Sequence, residues 1–187
     1  MRVIAGSAKG MRLGPVPPGV RPVSDRAREG LFSSLAPDVP EARVLDLYAG
    51  TGAMGIEALS RGAEHVVFVD RAYEASAAVH DNLDRTKLAE RATVLTQVVT
   101  AFVAGAPPST GPFDLVLLDP PYDADADELA AVLAGFGPGW LSDQGWTVVL
   151  TRGIKSSTPV IPVHWAVARQ LRYGDSLVIL YREVSWA

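Results

Sequence analysis

A regular alternation of two sequence patterns constrains the fold of this chain most. Short apolar runs typical of β-strands lie at 43–48, 65–69, 92–96, 113–118 and 146–151. Stretches with apolar residues at helical spacing separate these runs, at 53–61, 72–86, 98–104 and 124–135. Alternation of this kind predicts an α/β fold in which a mainly parallel sheet carries helices on both faces.

The carboxyl-terminal part departs from the alternation. Two further strand-like runs, at about 163–172 and 176–182, follow each other with no helical stretch between them. Two such adjacent runs joined by Gly174-Asp175 predict an antiparallel hairpin at the end of the chain.

The amino-terminal part has a different composition. Residues 1–22 are rich in glycine and proline, so we expect turns there, with short strands at 1–5 and 11–14. Ser24 then caps a predicted helix at about 25–35. Because 187 residues suit one ordinary domain, the predicted organisation is an appended arm, 1–22, on an α/β domain, 23–187.

A glycine-rich turn follows the first predicted strand. Gly50, Gly52 and Gly55 match the spacing that lets a backbone approach a bound ligand closely at the start of a helix. Asp70 ends the next apolar run, where a carboxylate can accept hydrogen bonds from ribose hydroxyls. The sequence therefore predicts a site for an adenosine-containing cofactor, although a merely tight connection between strand and helix would also need glycine.

NAD and S-adenosylmethionine both contain adenosine, and Asp46 separates them. A carboxylate just before the turn would repel a pyrophosphate, whereas the positive charges of S-adenosylmethionine favour it. The sequence thus favours S-adenosylmethionine. Other side chains predicted to line the cofactor pocket are Tyr48, Thr51, Arg71, Gln97 and Val98.

The residues Asp119-Pro120-Pro121-Tyr122 directly follow the fourth predicted strand. Because proline fixes φ and has no N–H, this turn is stiff and leaves the Pro120 carbonyl as a hydrogen-bond acceptor. That carbonyl and the Asp119 carboxylate can together bind the two N–H groups of an exocyclic base amine, and Tyr122 can stack on the base. The motif predicts methylation of an amino group in nucleic acid; a purely structural turn is the alternative.

The charge of the chain is unevenly distributed. The net charge is −4, yet residues 1–29 hold six basic and two acidic side chains, which leaves −8 for the remainder. Basic residues clustered at one end can bind phosphates or simply be solvated, and the charge alone does not decide between them.

These motifs resemble the RsmD family of class I S-adenosylmethionine-dependent methyltransferases. The resemblance covers almost the whole chain and is carried by Asp46-x-x-x-Gly50-x-Gly52, Asp70, Asp119-Pro120-Pro121-Tyr122, and the flanking Arg2-Val3-Ile4-Ala5-Gly6, Lys9-Gly10, Arg21-Pro22-Val23-Ser24-Asp25-Arg26-Ala27-Arg28-Glu29 and Tyr173-Gly174-Asp175. The chain departs from the family at Met11, Val23 and Gln97, where a basic residue, threonine and an acid are common.

The resemblance implies a Rossmann-like fold with a seven-stranded sheet whose last strand is antiparallel. It also implies methyl transfer to the 2-amino group of guanine 966 in 16S ribosomal RNA of the small subunit, with an amino-terminal hairpin that grips the RNA. The residues expected to contact RNA are Lys9, Arg12, Arg21, Arg26 and Arg28.

Other classes of protein remain open. An NAD-dependent oxidoreductase would share only the glycine turn, a DNA adenine methyltransferase would use the same amine chemistry, and a non-catalytic RNA-binding module would need only the basic arm. The chain has no cysteine, and its three histidines are not spaced with other ligands, so we expect no metal site. We expect a cytoplasmic protein without a membrane segment, with a monomer as the simplest state.

Overall fold

The computed structural model describes residues 1–16, 23–121 and 123–184. Seven strands form a single sheet: β1 (Arg43–Leu47), β2 (His65–Asp70), β3 (Ala92–Thr96), β4 (Leu115–Leu118), β5 (Thr147–Gly153), β6 (Trp165–Tyr173) and β7 (Ser176–Glu183). The α-helices are α1 (Asp25–Ser34), α2 (Ala53–Ser60), α3 (Tyr73–Thr86), α4 (Val99–Val103) and α5 (Ala126–Ala134).

The order of strands across the sheet is β3-β2-β1-β4-β5-β7-β6. Strands β1 to β5 pair in parallel, while β7 is antiparallel to both β5 and β6. The predicted fold class, including the antiparallel last strand and the terminal hairpin, is confirmed. Because β1 lies between β2 and β4, the chain changes direction across the sheet at β1, and such a point opens a crevice at the carboxyl ends of the strands.

The sheet is buried on both faces, and alternate residues of each strand serve different layers. Val44 and Phe68 pack into one apolar cluster with α1, α2 and α3. Leu45 and Val69 pack into a second cluster with α4 and α5. Burial on both faces explains why these strands read as continuous apolar runs in the sequence.

The amino-terminal segment is part of this core. The predicted strands at 1–5 and 11–14 are reduced to one isolated antiparallel bridge, between Arg2 and Arg12, with backbone hydrogen bonds joining residues 1–3 to 10–13. Three apolar side chains of the segment, Val3, Ala8 and Leu13, are buried in the first cluster. The segment therefore packs as an integral part of the domain, while the proposed boundary at residue 22 lies outside the described residues.

In the parts of the chain that the structure describes, no helix combines the length and apolarity needed to cross a membrane.

Candidate active site

A cleft of about 700 Å³ opens at the carboxyl ends of the central strands. Its walls include Asp46 from β1, Asp70 from β2 and Asp119 after β4. The turn between β6 and β7 forms a further wall. The topology thus brings together carboxylates that are far apart in the sequence.

Two positions in the glycine turn require glycine for different reasons. Gly52 has a φ of 74°, a left-handed conformation that other residues rarely adopt. At Gly55 a Cβ would come within 2.3 Å of the Phe68 ring, so only glycine allows α2 to pack this closely on β2. The two glycines thus allow the tight turn whose backbone lines the cleft at Gly50 and Thr51.

Asp70 links the end of β2 to the glycine turn. One carboxylate oxygen accepts a hydrogen bond from the Gly50 N–H and the other from the Ala72 N–H, both at 2.9 Å. Each carboxylate oxygen has a second lone pair. Asp70 is therefore oriented by two backbone N–H groups and can still accept two hydroxyl groups of a ligand.

Asp46 is a buried carboxyl group beneath the turn. It is 1% exposed, and its Oδ2 accepts the Gly55 N–H at 2.9 Å. Burial raises the pKa of Asp46 well above its usual range, and the nearby charges of Asp119 and Asp70 raise it further. A positively charged ligand in the cleft would favour the ionised form of this group, because opposite charges at short range lower the pKa of a carboxyl.

Asp119 stands where β4 ends. Its N–H donates to the Leu47 carbonyl at 3.4 Å, which joins the ends of β4 and β1. Burial raises the pKa of Asp119 to about 7. Pro120 is buried beside it, and no backbone N–H among the described residues donates to the Pro120 carbonyl. Asp119 and Pro120, which carry the two predicted acceptors, both line the cleft, while Tyr122 lies outside the described residues.

Only some of the other predicted cofactor residues line the cleft. Thr51 is buried in the turn and Arg71 is exposed at the rim, and both line the cleft. Tyr48 also lines it, and burial raises the pKa of its hydroxyl to about 12. Gln97 and Val98 are exposed after β3 and do not line the cleft.

Several lining residues were not predicted as site residues. Thr151 lies near the end of β5, and the β6–β7 turn contributes Asp175 and Ser176. The position of Thr151 could have been inferred, because ligands bind beyond the carboxyl ends of parallel strands. The turn carried only the Tyr173-Gly174-Asp175 motif of the family resemblance, and its position against the cleft depends on how β7 pairs with β5.

The predicted RNA-contacting residues also separate into groups. Lys9, Arg12 and Arg26 are exposed. Arg21 lies outside the described residues. The prediction that Arg28 contacts phosphate is wrong, because Arg28 is 0% exposed and donates to Asp25 Oδ1 at 3.0 Å and to the Arg2 carbonyl. Its guanidinium is used inside the protein.

The chain is similar to known proteins over nearly its whole length. A family model described as "Conserved hypothetical protein 95" matches residues 1–182. The chain is 34% identical over 184 residues to ribosomal RNA small subunit methyltransferase D of Escherichia coli (strain K12), covering 97% of this chain and 89% of that protein. It is 33% identical over 185 residues to the protein of the same name from Haemophilus influenzae, covering 97% and 92%.

A solved structure shows the same likeness in three dimensions. A hypothetical protein of Thermus thermophilus superposes with a TM-score of 0.81 at 30% identity, covering 96% of this chain and 98% of that one. The match to the family model and the nearly full-length relatives show that the chain belongs to the RsmD family.

Proposed function

We propose that this protein transfers a methyl group from S-adenosylmethionine to the 2-amino group of a guanine in 16S ribosomal RNA, at the position corresponding to guanine 966. The observation that carries the proposal is that Asp119 and Pro120 line the same cleft as Asp46 and Asp70. Asp119 and Pro120 are suited to bind an amine, and Asp46 and Asp70 are suited to bind a cationic nucleoside.

The residues at the glycine turn fit S-adenosylmethionine. Asp70 is oriented to accept the ribose hydroxyls. Asp46 provides a buried carboxyl group that a sulfonium or ammonium charge would stabilise in its ionised form. A pyrophosphate would face the same group with like charge, which disfavours NAD. Bound S-adenosylmethionine supplies an electrophilic methyl group.

The acceptors after β4 make the target amine reactive. The lone pair of an exocyclic base amine is delocalised into the ring, so the amine is a weak nucleophile. Hydrogen bonds from its two N–H groups to the Asp119 carboxylate and the Pro120 carbonyl favour the pyramidal nitrogen that attacks the methyl group. The nitrogen becomes acidic once it is alkylated, and Asp119 can then hold the released proton, consistent with a pKa of about 7.

Two considerations support ribosomal RNA as the substrate. The relatives from Escherichia coli and Haemophilus influenzae are named ribosomal RNA small subunit methyltransferases. The exposed Lys9, Arg12 and Arg26 place positive charge on the amino-terminal part of a chain that is otherwise acidic. Within this proposal, the protein acts in the cytoplasm on an assembling or assembled small subunit.

The direct test supplies labelled S-adenosylmethionine with small ribosomal subunits that lack the modification. We expect label in 16S ribosomal RNA at one guanine, in its 2-amino group. Label on adenine in double-stranded DNA offered in parallel would instead support a DNA adenine methyltransferase. Binding of NAD in place of S-adenosylmethionine would contradict the proposal altogether.

Replacement of Asp70 tests the cofactor site. We expect Asp70→Ala to weaken S-adenosylmethionine binding by about 10-fold or more, because two charge-assisted hydrogen bonds are lost and the glycine turn loses its anchor at Gly50. Isothermal titration calorimetry measures the dissociation constant. Asp84→Ala, at an exposed position of α3, is the control and should bind normally. An unchanged dissociation constant for Asp70→Ala would refute the ribose assignment.

Neutralisation of Lys9 and Arg12 tests the RNA contact of the amino-terminal segment. Both side chains are exposed, so their replacement by alanine leaves the buried contacts of the segment in place. We expect weaker subunit binding and a plot of log affinity against log salt whose slope is smaller by roughly 1 to 2, as expected for two lost phosphate contacts. Equal slopes for the wild type and the double variant would exclude such contacts.

A further inference from the structure

Asn82 lies on α3, and both polar groups of its side chain form hydrogen bonds with residues outside that helix. It is 1% exposed. Its Oδ1 accepts the Gly14 N–H at 2.7 Å, and its Nδ2 donates to the Thr51 carbonyl at 2.9 Å. The Gly14 N–H must face the amide oxygen, and the Thr51 carbonyl must face the amide nitrogen, so the two partners fix the orientation of the Asn82 amide. One buried side chain thus joins two segments that are far apart in the sequence.

The two partners of Asn82 belong to different candidate functional elements. Thr51 lies between Gly50 and Gly52 in the turn that we assign to S-adenosylmethionine. Gly14 belongs to the amino-terminal segment that exposes Lys9 and Arg12. The carboxylates that hold the turn, Asp70 at Gly50 and Asp46 at Gly55, come from the strands beneath it. Asn82 differs from them because it also holds the amino-terminal segment.

The segment is further attached to the helix that begins at the turn. The Glu57 carboxylate on α2 accepts the N–H groups of Ile4 and Ala5, at 2.8 and 3.0 Å. The Ser60 hydroxyl oxygen accepts the Ala8 N–H at 2.9 Å. A change in the position of the segment therefore reaches the glycine turn by two routes, through α2 and through the Asn82 amide.

We propose that Asn82 is a positioning residue that couples RNA binding by the amino-terminal segment to cofactor binding at the glycine turn, given that the segment binds RNA as proposed above. Coupling between two ligands is reciprocal, so RNA tightens cofactor binding by the same factor by which the cofactor tightens RNA binding. A factor of about 5 or more is within the usual range for coupled sites. Asn82 itself contacts neither ligand.

The coupling is measured with S-adenosylhomocysteine, which cannot react, and with small ribosomal subunits that lack the modification. The dissociation constant of S-adenosylhomocysteine is determined with and without the subunit, and the ratio of the two values is the coupling factor. We expect a factor of about 5 or more for the wild type. We expect a factor near 1 for Asn82→Asp, which keeps an acceptor for Gly14 and sets a carboxylate oxygen against the Thr51 carbonyl.

Two variants at Gly14 test the hydrogen bond between Gly14 and Asn82 from the side of the amino-terminal segment. Gly14→Pro removes the N–H that Asn82 accepts, while Gly14→Ala keeps it, and the alanine Cβ would meet Asn82 Oδ1 at an ordinary 3.4 Å. We expect Gly14→Pro to lose the coupling and Gly14→Ala to retain it. Leu133→Ala controls for stability, because Leu133 on α5 is buried in the second apolar cluster, on the other face of the sheet from Asn82.

The possible outcomes are distinct. Wild-type coupling in both Asn82→Asp and Gly14→Pro would overturn the role of Asn82, and so would a coupling factor of 1 in the wild-type protein. If Asn82→Asp does not fold, the Gly14 pair decides alone. Failure of the wild-type protein to bind or methylate the subunit would contradict the proposed function, and the coupling with it. Loss of coupling in Leu133→Ala would overturn the role of Asn82, because it would show that general stability controls the ratio.

Discussion

Asp119→Ala is expected to lower the rate of methyl transfer by about 10²–10³-fold or more, the usual cost of removing a preorganised group that stabilises a transition state. Asp119 is one of two acceptors for the target amine, and the other, the Pro120 carbonyl, cannot orient the nitrogen alone. Single-turnover kinetics with saturating S-adenosylmethionine measure this effect. The cofactor dissociation constant should change by only a few-fold, because Asp119 is assigned to the amine.

Asp119→Asn separates the charge of this group from its shape. The amide has nearly the same size and its Oδ1 can still accept one N–H of the amine, but it carries no charge and cannot hold the released proton, so we expect a smaller loss than for alanine. Asp127→Ala, at an exposed position on α5, is the control for a general change in charge. Turnover by Asp119→Ala within a few-fold of the wild type would sink the proposed mechanism.

The pKa of Asp119 makes the same assignment testable through pH. The ionised carboxylate is the form that accepts the amine, so kcat/KM in the wild type should rise with pH to a plateau above about pH 7. With cofactor bound, the midpoint should lie at lower pH, because a nearby positive charge favours the ionised form. The Asp119→Asn variant should lack this rise.

The stability of the fold should also depend on the ionisation of Asp119, but stability should fall as the pH rises, whereas activity should increase. A carboxyl whose pKa is raised by folding contributes stability below its unfolded pKa near 4, and this contribution is lost as the pH rises to about 7. Asp119→Asn should therefore gain stability relative to the wild type at pH 8. A gain in stability together with a loss of activity is what a buried functional carboxylate predicts, whereas a structural residue would lose both.

The central part of the fold could be predicted from local patterns. Strands buried on both faces appear as apolar runs, and a parallel sheet brings their carboxyl ends together. Asp46, Asp70 and Asp119 could therefore be assigned to one cleft although they are widely separated in the sequence. The order of the strands and the contribution of the β6–β7 turn depend on long-range pairing, which short windows of sequence do not contain.

The amino-terminal segment shows where local patterns fail. Its glycine and proline content predicts turns, and its charged side chains predict exposure to solvent, so the sequence predicts an appended arm. Its backbone N–H groups are in fact bound by Glu57 and Ser60 on α2, about fifty residues away in the sequence. Arg28 was misassigned for the same reason, since its buried partner is also on α2. A polar residue on a helix is normally exposed, and nothing nearby in the sequence marks these as exceptions.

Glu57→Ala is expected to have the largest effect on stability, with a loss of about 3–5 kcal/mol, as is typical when one partner of a buried ion pair is removed. Glu57 is 0% exposed and binds Arg61 at 2.7 Å in addition to the N–H groups of Ile4 and Ala5, and it lies 3.8 Å from the Arg28 guanidinium. Its removal leaves the half-buried N–H groups of Ile4 and Ala5 without their acceptor and takes a charge partner from Arg28 and Arg61.

Thermal and urea denaturation measure the loss, which for a chain of this size corresponds to a decrease in Tm of roughly 10 °C. Glu64→Ala is the matched control, because Glu64 pairs with Arg43 at 3.2 Å where both side chains are largely exposed, and such pairs contribute less than about 1 kcal/mol. Equal effects of the two substitutions would show that the amino-terminal segment is only loosely held. A large difference would mean that deleting this segment exposes the core, so that its RNA contacts must be tested by replacing charges rather than by truncation.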